Sequence, residues 1–196
     1  MDFPQDFQEC VRFHGHLCPG LAIGYAAVKA GIERLNPGLS PDEEVVAVVE
    51  NDSCAVDAVQ VLLGCTFGKG NLIFRDWGKQ VFTFFDREAG KAVRVSFTGE
   101  VPGREQRHAL RLKMDAGLAD DADREAWEKL RVDVTREIIS GPWSNLFEVR
   151  EVPFDPPPKA SVVQTVPCGI CGELTAEHRM STQGIGRICR GCAGEK

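Results

Sequence analysis

The 196-residue sequence lacks the features that mark membrane, secreted and nucleic-acid-binding proteins. No apolar run approaches the ~20 residues that span a bilayer. The start, MDFPQDFQEC, has neither the basic region nor the apolar region of a secretory signal. We therefore expect a cytoplasmic protein with no membrane partner. The net charge of −6 argues against nucleic acid as a partner through a basic surface.

Several common catalytic fingerprints are also missing, including a dinucleotide-binding loop and a nucleophile elbow. The segment GCTFGKGN at 64–71 comes nearest to a phosphate loop, but its glycines are one residue too close. Glycine also stands where serine or threonine would hold magnesium. The segment leads into a predicted strand, so no helix N-terminus faces a phosphate. Only a weaker interaction of Lys69 with an anion stays open.

Histidine is scarce, with four residues, whereas cysteine is plentiful, with eight. In a reducing compartment, cysteines are metal ligands, catalytic thiols or buried apolar groups more often than disulfides. Of these three classes, we assign Cys10 to the buried apolar cysteines. Cys65 fits either a buried position or a ligand pocket.

The C-terminal segment carries the most specific pattern, two C-x2-C pairs separated by 17 residues. Four thiolates at this spacing can surround one zinc ion, and we expect a structural zinc site. The alternative is a pair of disulfides. The ligands would be Cys168, Cys171, Cys189 and Cys192. The prolines of DPPPKAS stiffen the chain before this segment. We therefore divide the chain into a main domain over 1–154, a linker over 155–166 and a zinc finger over 167–196.

Hydrophobic periodicity predicts an α+β main domain, with a central, mainly antiparallel sheet and flanking helices. The strands follow one another in the middle of the sequence, which disfavours a regular βαβ repeat. We predict helices over 21–35, 53–64, 102–117 and 121–140. We predict strands over 45–49, 71–76, 80–86, 91–99 and 146–152.

The stretch FHGHLCPG at 13–20 places His14, His16 and Cys18 at alternate positions. If this segment is extended, side chains two residues apart share a face. Pro19 suits the first turn of a helix, so Cys18 lies near its N-cap, where the helix dipole would lower the pKa of a thiol. These three groups suit a half-site for zinc or another transition metal, or a Cys–His nucleophile pair.

A second stretch, ENDSCAVDAVQ, repeats this arrangement after a buried strand. Cys54 falls in the first turn of the next helix, with Asn51, Asp52 and Asp57 close by in sequence. Polar groups at the end of a buried strand often form ligand sites. We expect the two stretches to form one pocket.

These two stretches together, FHGHLCPGLAIGYAA and ENDSCAVDAVQVLLGCTFGKGNL, resemble the E-subunit family of formylmethanofuran dehydrogenase over roughly residues 5–150. An appended zinc finger also occurs in that family, and CGICGE…RICRGC resembles the zinc finger of the DksA/TraR class. The family resemblance implies an α+β homodimer associated with molybdenum or tungsten enzymes of one-carbon metabolism. It also implies a cleft, close to the second copy of the dimer, that is lined by the motif residues. Asn71 joins the candidate pocket only through this resemblance.

Three hypotheses for function follow. The first is a metal-binding enzyme or accessory factor that takes a small anionic ligand, such as a pterin or one-carbon metabolite. The second is a non-catalytic regulator that binds a protein partner through its zinc finger. The third is metal-free thiol chemistry. The first hypothesis assigns catalytic roles to Cys18, Cys54, Asp52 and Lys69, ligand-binding roles to His14, Asn51, Asp57, Cys65 and Asn71, and core metal ligation to His16, Cys18 and Cys54.

Overall fold

The computed structural model describes residues 3–35, 40–183 and 186–195. The chain divides into two compact units, Met1–Pro158 and Lys159–Lys196, and this division falls inside the predicted linker over 155–166. No helix within the described ranges is long and apolar enough to cross a membrane.

The described part of the first unit forms five α-helices and a five-stranded sheet. The helices are α1 (Gln5–His14), α2 (Pro19–Leu35), α3 (Ala55–Leu63), α4 (Arg104–Asp115) and α5 (Asp121–Ser140). The strands are β1 (Val45–Val49), β2 (Leu72–Phe74), β3 (Val81–Asp86), β4 (Lys91–Phe97) and β5 (Phe147–Glu151).

The strand order in the sheet is β2-β1-β3-β4-β5. Only β1 and β2 pair in parallel, because α3 connects them as a crossover, and the other neighbours are antiparallel. The predicted α+β class with a mainly antiparallel sheet is therefore confirmed.

The two faces of the sheet have different environments. Along β1, Val45, Ala47 and Val49 join the main core on the helical side, whereas Val46 joins a small second cluster. This alternation follows from the period of two in a strand. We call the second face, which carries Val46 and Val48, the outer face.

Helix α2 lies at the centre of the main core and is buried on nearly every side. Two glycines permit this close packing. A Cβ atom at Gly24 would lie 2.1 Å from the carbonyl oxygen of Ala55 in α3, and one at Gly31 would lie 2.6 Å from Phe84 in β3. Since real side chains do not approach so closely, α2 can touch both neighbours only with glycine at these positions.

Helix α1 was not predicted from the sequence. It buries Phe7 and Cys10 against the core, so the assignment of Cys10 as a buried apolar group is confirmed. Asp6 links α1 to α2, because its carboxylate accepts a hydrogen bond from Tyr25 at 3.1 Å and contacts Lys29 Nζ at 2.5 Å. These contacts fix the position of α1 relative to α2.

The described part of the second unit contains two short hairpins and, between them, a single 3-10 turn (Glu177–Arg179). Strand β6 (Thr165–Pro167) pairs with β7 (Leu174–Ala176), and β8 (Met180–Gln183) pairs with β9 (Gly186–Cys189). Strand β6 begins two residues before the predicted start of the finger. Among the described side chains of this unit, only Cys168 and Ile188 are buried. Because so few side chains are buried, an apolar core cannot supply most of the folding free energy of this unit.

The contact between α2 and α3 generates a stability prediction. Replacing Gly24→Ala forces the helices apart and should lower the free energy of unfolding by about 2–3 kcal/mol, measured by urea denaturation. Gly68→Ala is the control, because a Cβ there meets nothing within 4 Å and should change stability by less than about 1 kcal/mol. Equal effects of the two substitutions would contradict the proposed importance of this contact.

Candidate functional site

His14, His16 and Cys18 converge between α1 and α2. One ligand atom from each lies within 4.8 Å of those from the other two. His14 and Cys18 are half-buried and His16 is exposed, so the group is fixed by the core on one side and open to solvent on the other.

The convergence arises from a helix end and a turn, and not from the extended segment that was one way to bring the two histidines together. Helix α1 continues through His14, and Gly15 ends it in the left-handed region at φ 90°, with its N–H donating to the Val11 carbonyl at 2.9 Å. The turn at Gly15 folds His16 back, so that the two imidazole rings lie 4.3 Å apart. Glycine suits this position because other residues rarely adopt that φ.

Asp57 in α3 orients the His14 ring. Its Oδ2 lies 2.7 Å from His14 Nδ1, and its Oδ1 accepts a hydrogen bond from Gln60 Nε2 at 3.1 Å. His14 Nε2 then points toward Cys18 Sγ, at 3.8 Å. In a neutral imidazole, a carboxylate that accepts from Nδ1 selects the tautomer whose Nε2 lone pair is available, which is the arrangement seen in metal-ligating histidines.

Cys18 immediately precedes α2, and its Sγ accepts a hydrogen bond from the Leu21 N–H at 3.4 Å. Burial raises the pKa of the Cys18 thiol, the Leu21 N–H lowers it, and the neighbouring Cys54 raises it further. The net direction is upward. The expectation of a lowered pKa at this helix start was therefore wrong, because desolvation outweighs the helix N–H groups.

Cys54 immediately precedes α3 and faces the start of α2. A Cβ atom at Gly20 would lie 3.7 Å from Cys54 Sγ and 3.9 Å from Cys18 Sγ. The two sulfurs therefore flank one glycine on the same side of the molecule. Cys54 does not belong to the group of three residues whose ligand atoms all lie within 4.8 Å of one another.

Two other candidates from the second stretch have different positions. Asn51 is buried, and its amide donates to the Lys79 carbonyl at 2.9 Å while its oxygen accepts from Ser53. These contacts shape the turn before α3, and the assignment of Asn51 as a ligand-binding residue stays a prediction. Asp52 is exposed, and within the described part of the chain Asp57, not Asp52, contacts a histidine.

The glycine-rich loop lies at the opposite end of α3, about 15 Å from Cys54 at 1.5 Å per helical residue. Asn71 is fully buried; its amide donates to the Asp42 and Val45 carbonyls, and its oxygen accepts from the Thr66 N–H. Lys69 Nζ donates to the Ser40 carbonyl at 2.7 Å. Asn71 uses all its polar groups on neighbouring backbone, which corrects its assignment to the ligand pocket. Lys69 also bonds to backbone, and its catalytic role stays a prediction.

Cys65 also belongs to the core. It is 0% exposed, its thiol donates to the Val45 carbonyl at 3.4 Å, and burial raises its pKa to about 12. A neutral thiol inside the core cannot reach a ligand, so Cys65 is removed from the candidate pocket.

The four cysteines of the second unit form a closed cluster, with their sulfurs within 4.8 Å of one another. Backbone N–H groups of Ile170 and Cys189 point at Cys168 Sγ, at 3.5 and 3.3 Å. These bonds, with that of Cys189 first, lower the pKa of Cys168 to about 6. A cluster of free thiols with such donors can hold a metal ion.

Sequence reasoning missed two residues of the core site. Gln60 lies one helical turn after Asp57, a spacing that brings the two side chains together. Gly20 lies two residues after Cys18, but its closeness to Cys54 depends on the packing of α2 against α3, which no local pattern reveals.

Comparisons with known proteins agree with this architecture. A family model described as "FmdE, Molybdenum formylmethanofuran dehydrogenase operon" matches residues 13–148. A "Probable S-adenosyl-L-methionine-binding protein" from Archaeoglobus fulgidus is 34% identical over 93% of this chain and 51% of its own length. The chain thus spans about half the length of this curated relative. The crystal structure of a tungsten formylmethanofuran dehydrogenase FmdE-like protein from Syntrophus aciditrophicus has a TM-score of 0.64 and 27% identity, covering 96% of this chain and 92% of that one.

The environments of the core cysteines predict an order of chemical modification. Burial raises the pKa of both Cys10 and Cys65 to about 12, so only about one thiol in ten thousand is ionised at pH 8. Among the four cysteines of the first unit, in native and metal-free protein, iodoacetamide should modify the half-exposed Cys18 and Cys54 before Cys10 and Cys65, as measured by peptide mass spectrometry. Modification of Cys65 at the rate of Cys54 would contradict its buried position. Protein unfolded in urea, in which all four should react, is the control.

Proposed function

This chain belongs to the FmdE family, and from that premise we propose that it is a metal-dependent enzyme or accessory factor of molybdenum- or tungsten-enzyme metabolism. In this proposal, His14, His16 and Cys18 hold a transition metal in the core, and the four cysteines of the second unit hold a structural zinc. The protein acts on a small anionic or one-carbon metabolite and works as a homodimer, as the family resemblance implies.

The observation that carries the proposal is the hydrogen bond between His14 and Asp57. A carboxylate at 2.7 Å from Nδ1 orients the ring with Nε2 toward Cys18, and a merely structural histidine has no need of a thiol 3.8 Å from its other nitrogen. Two imidazoles and one thiolate suit zinc or a similar borderline metal. Three protein ligands leave a coordination position for water or substrate, as in catalytic rather than structural sites.

A zinc ion at this position would supply Lewis-acid chemistry by polarising a bound water or carbonyl. The roles of the chain's own residues follow from their contacts. Asp57 fixes the tautomer of His14, and Gln60 fixes Asp57 by a hydrogen bond. His16 is exposed, so the metal position is open to solvent on that side. Cys54 lies beside Cys18 but outside the ligand group, where its thiol is placed to hold or donate a proton to a bound ligand.

The two alternatives have less support. Metal-free thiol chemistry needs an activated thiolate, and the raised pKa of Cys18 opposes that activation. A purely regulatory role through the zinc finger leaves the His14–Asp57 pair without a purpose, although the finger can still bind a protein partner. S-adenosylmethionine is a second candidate ligand, because the 34% identical relative carries that name.

Metal content tests the proposal directly. Full-length protein purified without chelators should contain two metal ions per chain, measured by plasma mass spectrometry. Cys18→Ser or His16→Ala should reduce the content to one, because each removes a ligand of the core site. A Cys171→Ser, Cys192→Ser double variant should also reduce it to one, by emptying the four-cysteine site. Cys10→Ala, a buried cysteine outside both groups, is the control and should keep two. A Cys18→Ser protein that retains two ions would refute the core site.

The role of Asp57 gives a sharper test. Asp57→Asn keeps the size of the side chain but removes the charge that orients His14, and should weaken metal affinity at the core site by about 10- to 100-fold. Competition with a chelator, on protein whose four-cysteine site stays loaded, measures this affinity. Asp52→Asn is the matched control, five residues away and exposed, and should change the affinity less than twofold. Equal losses of metal affinity in both variants would contradict the proposed role of Asp57, because the effect would then come from the change in net charge and not from the orientation of His14.

A further inference from the structure

The outer face of the sheet contains a groove that the core metal site does not use. It has a volume of about 450 Å³, within the range of small-ligand pockets. We define the outer groove by its polar and aromatic lining: Glu50, Arg75, Trp77, Thr83, Arg94 and Arg150. Three arginines face a single carboxylate here, so the groove carries excess positive charge.

Strand register accounts for part of this charge. Thr83 pairs with Arg94, and Arg94 pairs with Arg150, across β3, β4 and β5. Residues directly opposite in an antiparallel pair point to the same face, and like charges in such a position destabilise a sheet. The register therefore places the side chains of Arg94 and Arg150 opposite each other on the outer face, an unfavourable pairing of like charges that a bound anion would offset.

Glu50 does not compensate both arginines. It is 1% exposed, and its two oxygens accept hydrogen bonds from the two terminal nitrogens of Arg94, at 2.5 and 3.0 Å. This bidentate pair fixes Arg94 and uses the whole carboxylate. Within the described part of the chain, neither Arg75 nor Arg150 has a carboxylate partner within 4.0 Å.

At the rim of the groove, one indole holds Arg75 and adds one further cation, Lys79. Trp77 is 52% exposed, and the guanidinium of Arg75 and the ammonium of Lys79 lie 5.2 and 5.4 Å from its ring centre. Cation–π contacts at this distance hold both charges close to the groove without neutralising them.

We propose that the outer groove binds the phosphate group of a small phosphorylated metabolite. Guanidinium groups match phosphate oxygens in bidentate geometry, and here three of them line one groove, from the end of β2, from β4 and from β5. A dianion fits the excess charge better than a monocarboxylate does. S-adenosylmethionine, whose sulfonium and ammonium outweigh its single carboxylate, does not fit this groove.

The test is a titration of the full-length protein with inorganic phosphate and with ribose 5-phosphate at constant ionic strength. The indole N–H resonance of Trp77, assigned with the Trp77→Phe variant, reports binding by nuclear magnetic resonance. Both probes should give a saturable shift, and Arg150→Gln or Arg75→Gln should weaken binding by about tenfold or more, the loss expected for one charged hydrogen bond. Arg94 is left intact, because its removal would strand the buried charge of Glu50.

Lys91→Gln is the matched control, since Lys91 is an exposed cation on the same sheet outside the groove, and it should change binding less than twofold. Three results would overturn the proposal. One is the absence of a saturable shift, and a second is an equal loss in Lys91→Gln, which would indicate general ionic attraction. The third is a change of sedimentation coefficient in Arg150→Gln, which would make this face an interface between two copies. The outcome is independent of the metal proposal, because phosphate binding here needs none of the metal ligands.

Discussion

The close contact between α2 and α3 is the constraint on which the candidate site depends. Gly24 lies against the Ala55 backbone, and Gly20, one turn earlier in α2, lies against Cys54. Without Cβ atoms at these positions, the two helices start side by side. Cys18 and Cys54, each placed just before its helix, are therefore neighbours. One turn further along α3, Asp57 reaches the end of α1 and orients His14. Three helices thus define one group of donors through a backbone contact that contains no functional side chain.

The predictions from sequence succeeded where a structure depends on residues close by in the chain. They failed where it depends on packing against a distant segment. Apolar periodicity found the strands and four of the five described helices, because burial of one face is recorded in the spacing of residues. Helix α1 was missed although it buries Phe7 and Cys10, because the part of the core that covers this face comes from elsewhere in the chain, such as Tyr25 against Phe7. The closeness of His14 and His16 was expected only for an extended segment, whereas the glycine that ends α1 brings the two histidines together by a turn.

The separation of ligand-binding residues from structural ones was also out of reach. Asn51, Lys69 and Asn71 carry the polar groups that a binding site needs, yet each bonds to backbone carbonyls or N–H groups. A buried backbone group needs a hydrogen-bond partner just as a bound ligand does. Only the folded structure tells which of the two a given side chain bonds. The four-cysteine pattern is the exception, because its spacing already indicates a cluster that can hold a metal ion, as the structure shows.

Strand β1 serves both faces of the sheet at its carboxyl end. Glu50 turns to the outer groove, and Asn51, the next residue, shapes the turn that begins α3 at Cys54. Since neighbouring residues of a strand point to opposite faces, gaining or losing one residue in β1 would exchange these roles along its whole length. Buried valines there can be replaced by other aliphatic residues of similar volume at small cost. The fold therefore depends more on the number of residues from β1 to Cys54 than on which residues they are. Insertions or deletions in this segment should be far less tolerated than substitutions.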